Sequence, residues 1–280
     1  MKVAAFINLK GGTGKTASAD NIGHILATIY DKKVLMIDMD PQSNTTTMFN
    51  GGDDLEEAPI ISRISNWLAG EGLAENPTKS VEDILLDAKC NLDIRETIIK
   101  TKFKNVDLIP AYITLSAAEQ NLTSDVTSVQ QTRLKKHLKA IENEYDYCII
   151  DCSPTLGIST INALYAADEV YIPMKNDAYS LEGACVSMSI IKDVMDENER
   201  LRIGGIFVTQ KTNTNVNKMV DEFLDNVLAD FKIPVSIRNS IKISEATYNN
   251  VPLLVADPEA KLPVTQDYIQ LTEYIINKER

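Results

Sequence analysis

The sequence predicts an α/β fold, a three-layer sandwich whose mostly parallel central sheet carries helices on both faces. Three observations predict it. Apolar runs recur along the chain, helical patterns lie between them, and a glycine-rich loop joins the first run to the first helix. The runs are Val3 to Asn8, Lys33 to Asp38, Val106 to Pro110, Tyr147 to Asp151, Glu169 to Pro173 and Ile203 to Thr209. Most are continuous Val/Ile-rich segments instead of alternations, as expected of parallel strands covered on both faces by crossover helices. In such sheets a ligand binds at the carboxyl ends of the strands.

After the first run stands Lys10-Gly11-Gly12-Thr13-Gly14-Lys15-Thr16, and a helical pattern follows from Ala17 to Ile29. Glycines let consecutive backbone N–H groups turn inward around phosphate oxygens, and the helix N-terminus adds the positive end of its dipole. Lys15 is placed to reach the terminal phosphates, and the Thr16 hydroxyl suits Mg²⁺. A P-loop NTPase type of sandwich holding a nucleoside triphosphate is the expectation. The common pattern G-x-x-x-x-G-K-[ST] would place a glycine where Leu9 stands. A second lysine, Lys10, precedes Lys15 by five residues.

The second run ends in Asp38-Met39-Asp40-Pro41-Gln42. Side chains two apart on an extended segment share a side, so Asp38 and Asp40 are expected to face one site. The stretch from Asn50 to Lys79, around the lone Trp67, breaks the rhythm and reads as an insertion or mobile excursion with a short helix from Ile61 to Leu68. The fourth run, Tyr147 to Asp151, ends in a single carboxylate. An apolar strand anchoring an acid at its tip suits the hydration shell of Mg²⁺, so Asp151 joins Thr16, Asp38 and Asp40 as a metal candidate. The final stretch, Thr265 to Lys278, carries Tyr268, Leu271, Ile275 and Ile276 at helical spacing and should pack back onto the domain.

With 280 residues and 44% hydrophobic content, one domain spanning 1–280 is the economical expectation. No stretch approaches the ~18 apolar residues of a membrane span, and Met1 leads directly into the first strand, which points to a cytoplasmic protein without a signal peptide. Cys90, Cys148, Cys152 and Cys185 include no C-x-x-C pair and read as reduced, buried thiols, not metal ligands. A formal net charge of −12 excludes coating nucleic acid by bulk electrostatics, so any DNA contact needs a local patch. Two short basic clusters, Lys100/Lys102/Lys104 and Arg133/Lys135/Lys136/Lys139, each read as solvated charged faces.

The lysine-bearing loop resembles the deviant Walker A motif of the ParA/MinD family of ATPases. The likeness extends to Asp38-Met39-Asp40-Pro41-Gln42, which is similar to the family's D-x-D-P-Q switch segment, and to Asp151-Cys152-Ser153-Pro154, where the family often reads D-x-P-P. Val106 to Ala111, Ile172-Pro173 with Ser180-Leu181-Glu182-Gly183, and Ile243 to Ala246 with Val251-Pro252-Leu253 extend it over nearly the whole chain. The short partitioning branch, without a helix-turn-helix domain, fits best.

That resemblance implies ATP and Mg²⁺ bound at Gly11, Gly12, Thr13, Gly14, Lys15, Thr16 and Ala17, with Asp40 positioning metal and attacking water. It implies an ATP-bound homodimer in which Lys10 reaches the partner's phosphates, and adenine held near Gln210 and the Pro234 to Asn239 segment, with Asn239 a candidate contact. Nonspecific DNA binding falls to Lys211, Lys218, Arg238 and Lys242. A centromere-binding, ParB-like partner would stimulate slow hydrolysis, and the ATP-bound form would sit on the nucleoid. The last helix is poor in basic residues on its polar side, unlike a membrane-targeting helix, so no membrane partner is expected. Two rivals remain: a positioning switch whose cargo is a protein cluster without DNA binding, and a biosynthetic amidoligase using a similar loop.

Overall fold

Alternation along the first strand sets the layers. In β1 (Lys2–Phe6) and the residue after it, Val3, Ala5 and Ile7 enter one apolar core, and Ala4 and Phe6 enter another on the opposite face. The computed structural model describes residues 1–50, 76–124, 129–212 and 214–278. The predicted helix 61–68 therefore lies outside the described residues, as does most of the 50–79 excursion.

Seven strands form one sheet in the order β3-β4-β2-β5-β1-β6-β7: β2 (Val34–Met39), β3 (Ile99–Lys100), β4 (Val106–Ile109), β5 (Tyr147–Cys152), β6 (Glu169–Lys175) and β7 (Arg202–Thr209) follow β1 in the chain. Every pairing is parallel except β3 with β4. The six anticipated strands are present. The short antiparallel edge β3 was not expected, because two residues carry no periodicity to read.

Helix α1 (Lys15–Thr28) crosses one face, where Ile22, Ile25 and Leu26 meet α11 (Pro263–Asn277) through Tyr268, Leu271 and Ile275. Also on this face are α9 (Ile241–Tyr248) and α10 (Leu253–Ala256). The opposite face is covered by α3 (Val81–Leu86), α4 (Leu115–Ser124), α5 (Arg133–Leu138), α6 (Ile158–Ala166), α7 (Ala178–Met195) and α8 (Asn215–Val227). A short helix, α2 (Asn44–Asn50), follows β2. Both sheet faces are covered, which is why the strands read as unbroken apolar runs.

Two expectations need correction. Arg133 is not on a solvated face: it is buried, and its Nη1 donates to the Leu85 carbonyl at 2.5 Å. Its helix packs that face inward through Leu134 and Leu138. Of the four free thiols, Cys148 and Cys152 are buried on β5, but Cys90 and Cys185 are exposed.

Helix α7 packs closely on the glycine loop. A Cβ on Gly183 would lie 2.7 Å from Asn8 Oδ1 and 3.0 Å from Lys10 Cβ. The Gly183→Ala variant should lose about 1–3 kcal/mol of stability through this overpacking. Denaturant unfolding of variant and parent checks this; equal midpoints would show that the loop yields freely.

Candidate nucleotide-binding site

The loop after β1 is held open by its neighbours. Asn8, buried at the strand end, donates to Pro173 O at 3.0 Å and accepts the Lys10 N–H at 2.9 Å. Gly12 and Gly14 have φ of 71° and 83°, a left-handed conformation that glycine adopts without Cβ strain. Loop carbonyls are drawn outward: Thr209 Oγ1 donates to Thr13 O at 2.8 Å, and Gln210 Nε2 donates to Gly12 O at 3.1 Å. Gly14 caps α1, whose first turn has neither a capping side chain nor an acid. Its orphan N–H groups are therefore free to meet an anion.

The two loop lysines point apart. Lys15 is buried, and its Nζ donates to Lys10 O at 3.3 Å. Burial lowers its pKa, while the nearby carboxyls of Asp151 and Asp40 work against that. Lys10 is exposed, with its Nζ 5.7 Å from the ring centroid of Tyr179, itself 73% exposed. The sequence spacing brought both lysines to one loop; only the fold buried one and exposed the other.

Beneath the loop lies a cluster of buried acids. Asp38 and Asp151 sit in register on adjacent strands, and their side chains share the α1 face with Met36 and Ile149. Asp20, on α1 and also fully buried, joins them. Thr45 bridges the group, its Oγ1 lying 2.8 Å from Asp20 Oδ1 and 3.1 Å from Asp151 Oδ2. Neither Asp20 nor Thr45 was singled out from sequence. The available signal was Asp20 as the one acid of α1.

Burial drives the pKa values of these acids upward. Asp38 is pushed up to about 7 by burial and then by the Asp151 charge. Asp151 rises to about 6, with the hydroxyls of Thr16 and Thr45 and the charge of Lys15 opposing the shift. Asp20 is raised well above the ordinary carboxylate value by burial and by Asp151.

These residues fit a hydrated Mg²⁺. Asp151 Oδ1 is buried without a hydrogen-bond partner, beside a hydroxyl of Thr16 and the buried carboxyls of Asp20 and Asp38. An oxygen donor set of this kind suits Mg²⁺, with waters completing its shell. Asp40 is nearly buried and accepts the Gln42 N–H through Oδ1 at 2.9 Å. Asp38, expected to face the metal with Asp40, instead accepts Asp40 N at 3.0 Å and both Thr46 N and Thr46 Oγ1 at 2.8 Å. Its oxygens are spent on the turn from β2 into α2.

The late segments converge on the same edge. Gln210 follows β7 with a φ of 50° and touches the loop, while Asn239 N donates to Lys211 O at 3.1 Å. Ala17 lies in the first turn of α1. Lys211 and Arg238 bridge adjacent segments, Lys242 lies at the start of α9, and Lys218 is exposed on α8. Carboxylates already occupy three of these bases: Asp221 faces Lys211 at 3.4 Å, Glu245 faces Lys242 at 2.7 Å, and Asp267 holds Arg238 bidentately at 2.7 Å.

Fold and site together define a P-loop nucleotide-binding protein. A family model described as an AAA domain matches residues 1–203. The chain is 35% identical over 262 residues to the sporulation initiation inhibitor protein Soj of Bacillus subtilis, covering 93% of each. It is 32% identical to the chromosome-partitioning ATPase Soj of Treponema pallidum, covering 99% of this chain and 98% of that one. Among solved structures, a plasmid partition protein of Borrelia burgdorferi bound to AMPPNP superposes with a TM-score of 0.71 at 27% identity, covering 99% and 97% of the two chains. Apo McdA from Cyanothece shares the fold, with a TM-score of 0.79 at 22% identity and 99% coverage of both. The chain belongs to the ParA/MinD family of deviant Walker A ATPases.

The acid cluster has a measurable signature. Asp38 and Asp151 titrate higher in the folded chain than the 3.8 of a free carboxyl, so between about pH 4 and 7 the folded state binds more protons. Their contribution to stability is greatest at the acid end and is lost as pH rises through 6 to 7. Removing the charge with Asp151→Asn should therefore raise the melting temperature of the Mg²⁺-free chain, relative to the parent, more at pH 7.5 than at pH 5.5. Calorimetry with chelator checks this; a larger gain at pH 5.5 would contradict the assignment.

Proposed function

We propose that this chain is a Mg²⁺-dependent ATPase that partitions DNA by switching between a monomer and an ATP-bound homodimer. The single observation that carries the reading is the divergence of the loop lysines. Lys15 is buried at its own site, while Lys10 stands exposed on the surface, where it is available to a second copy.

Phosphoryl transfer to water asks mainly for positioning and charge neutralisation. Loop amides and Lys15 would hold the polyphosphate, and Thr16 and Asp151 would hold Mg²⁺, which neutralises charge on the phosphates. Asp40, at the metal side of the site, would orient the attacking water. Orientation of that water is its proposed contribution. Hydrolysis then depends on dimerisation, and the nucleotide acts as the adhesive between subunits. In this reading ATP stays with the protein, adenine lies against Gln210 and the segment ending at Asn239, and a centromere-binding, ParB-like protein accelerates turnover. The ATP-bound form would associate with the nucleoid of the cytoplasm.

Nonspecific DNA is the proposed matrix, contacted through Lys211, Lys218, Lys242 and Arg238. Exposed pairs such as Lys242 with Glu245 are weak and exchange readily for phosphate. Arg238 is harder to release, because its partner Asp267 is buried and also accepts the Arg238 backbone N–H. Local neutralisation, added to the net charge of −12, favours a second reading in which the cargo is a protein cluster and DNA is not bound.

Lys10→Ala should abolish ATP-dependent dimers by light scattering while the fold survives; retained dimers would remove Lys10 from its role. Asp40→Ala should trap the ATP-bound dimer and cut hydrolysis by about a hundredfold or more. Wild-type phosphate release would refute that. Fluorescence anisotropy of a random DNA duplex should rise with a slowly hydrolysed ATP analogue and not with ADP. Dimers that form without any DNA binding would select the protein-cargo reading.

A further inference from the structure

We propose that Lys175 is a third phosphate-contacting lysine of the nucleotide site, acting on the polyphosphate bound by its own chain. This rests on the nucleotide-binding reading above and adds a residue that lies outside the loop motif by more than 150 positions.

Lys175 is the last residue of β6, and its place is fixed by pairing. It stands in register with Thr209 of β7, whose hydroxyl donates to the loop carbonyl of Thr13 at 2.8 Å and lies 3.3 Å from Met174 O. The same strand end binds the base of the loop, since Asn8 donates to Pro173 O. From this position the Lys175 ammonium reaches the loop: a Cβ built on Gly12 would lie 3.5 Å from its Nζ. Gly12 is one of the left-handed residues whose outward carbonyl leaves its amide side to a ligand.

Charge makes the placement informative. In this acidic chain several lysines meet a carboxylate, as Lys2 meets Glu169 and Lys232 meets Asp225. Among the described residues no carboxylate pairs with Lys175, although its side chain is partly buried. The nearest acid in sequence, Asp177, is committed to capping α7 through Ser180. Next to it, Asn176 is buried with its Oδ1 unpartnered. Lys15 and Lys175 thus both approach one short loop from within the chain, while Lys10 stays exposed beside Tyr179. Two like charges beside uncapped amides repel one another unless an anion lies between them. A terminal phosphate bound at the loop supplies that charge, and β6 holds this cation more rigidly than a loop could.

The test is nucleotide affinity, read by a fluorescent, slowly hydrolysed ATP analogue with the full chain, for wild type, Lys175→Gln and Lys175→Arg. Losing one charge-assisted contact should raise Kd about tenfold in Lys175→Gln, with Lys175→Arg recovering most of it. Melting curves identify misfolding, and recovery by arginine excludes a purely structural loss. An unchanged Kd in Lys175→Gln, with the wild type binding well, overturns the role of Lys175 alone. Weakening of DNA binding with nucleotide Kd unmoved overturns it equally. Failure of the wild type to bind the analogue overturns the nucleotide-binding reading itself, and Lys175 with it.

Discussion

Burying Asp20, Asp38 and Asp151 together, with one buried lysine nearby, is the constraint around which this site is arranged. Charges of one sign at low dielectric are costly, so the group must hold protons, accept hydrogen bonds or meet a cation. The structure supplies hydrogen bonds and one nearby cation, Lys15. Asp38 is satisfied by the Asp40 and Thr46 donors, Asp20 and Asp151 share the Thr45 hydroxyl, and one oxygen of Asp151 stays unpaired toward the place a metal would take. The result is a site whose own electrostatics favour a bound divalent cation.

The same hydrogen bonds couple the site to the chain around it. Thr45 lies on α2, directly after the Asp38 to Gln42 turn, so α1, α2 and β5 meet at one hydroxyl. Thr46 Oγ1 also accepts the Ala111 N–H beyond β4. A change in charge at Asp151 is therefore felt by the turn that carries Asp40. Such coupling suits a nucleotide-dependent switch, in which a bistable segment is biased by local charge.

On the other side of the loop, β6, β7 and α7 act as a rigid wall. Thr209 and Gln210 draw loop carbonyls outward, and Gly183 lets α7 approach Asn8 and Lys10 without a side chain between them. Side chains placed on strand ends and packed helices have little to reorganise when a charged ligand arrives. Lys10 is the exception, standing at the surface beside exposed Tyr179.

The layered α/β architecture, the glycine loop, the strand-tip acid Asp151 and the family were legible in the residues alone. Each is written in contiguous residues: a Val/Ile run records burial on both faces, and a loop motif records its own backbone needs. Only tertiary structure decided the rest. Whether Asp20 faces solvent or the acid cluster depends on how α1 rotates onto the sheet, and Asp38 serves the turn because Thr46 folds back on it. Arg133 looked like part of a charged face until packing against α3 enclosed it, and the two-residue β3 exists only as a partner for β4. Lys175 gained its neighbour Gly12 through strand register. Local pattern fixes what a segment is; contacts between residues far apart in the chain fix what each side chain meets, and those depend on packing that periodicity does not encode.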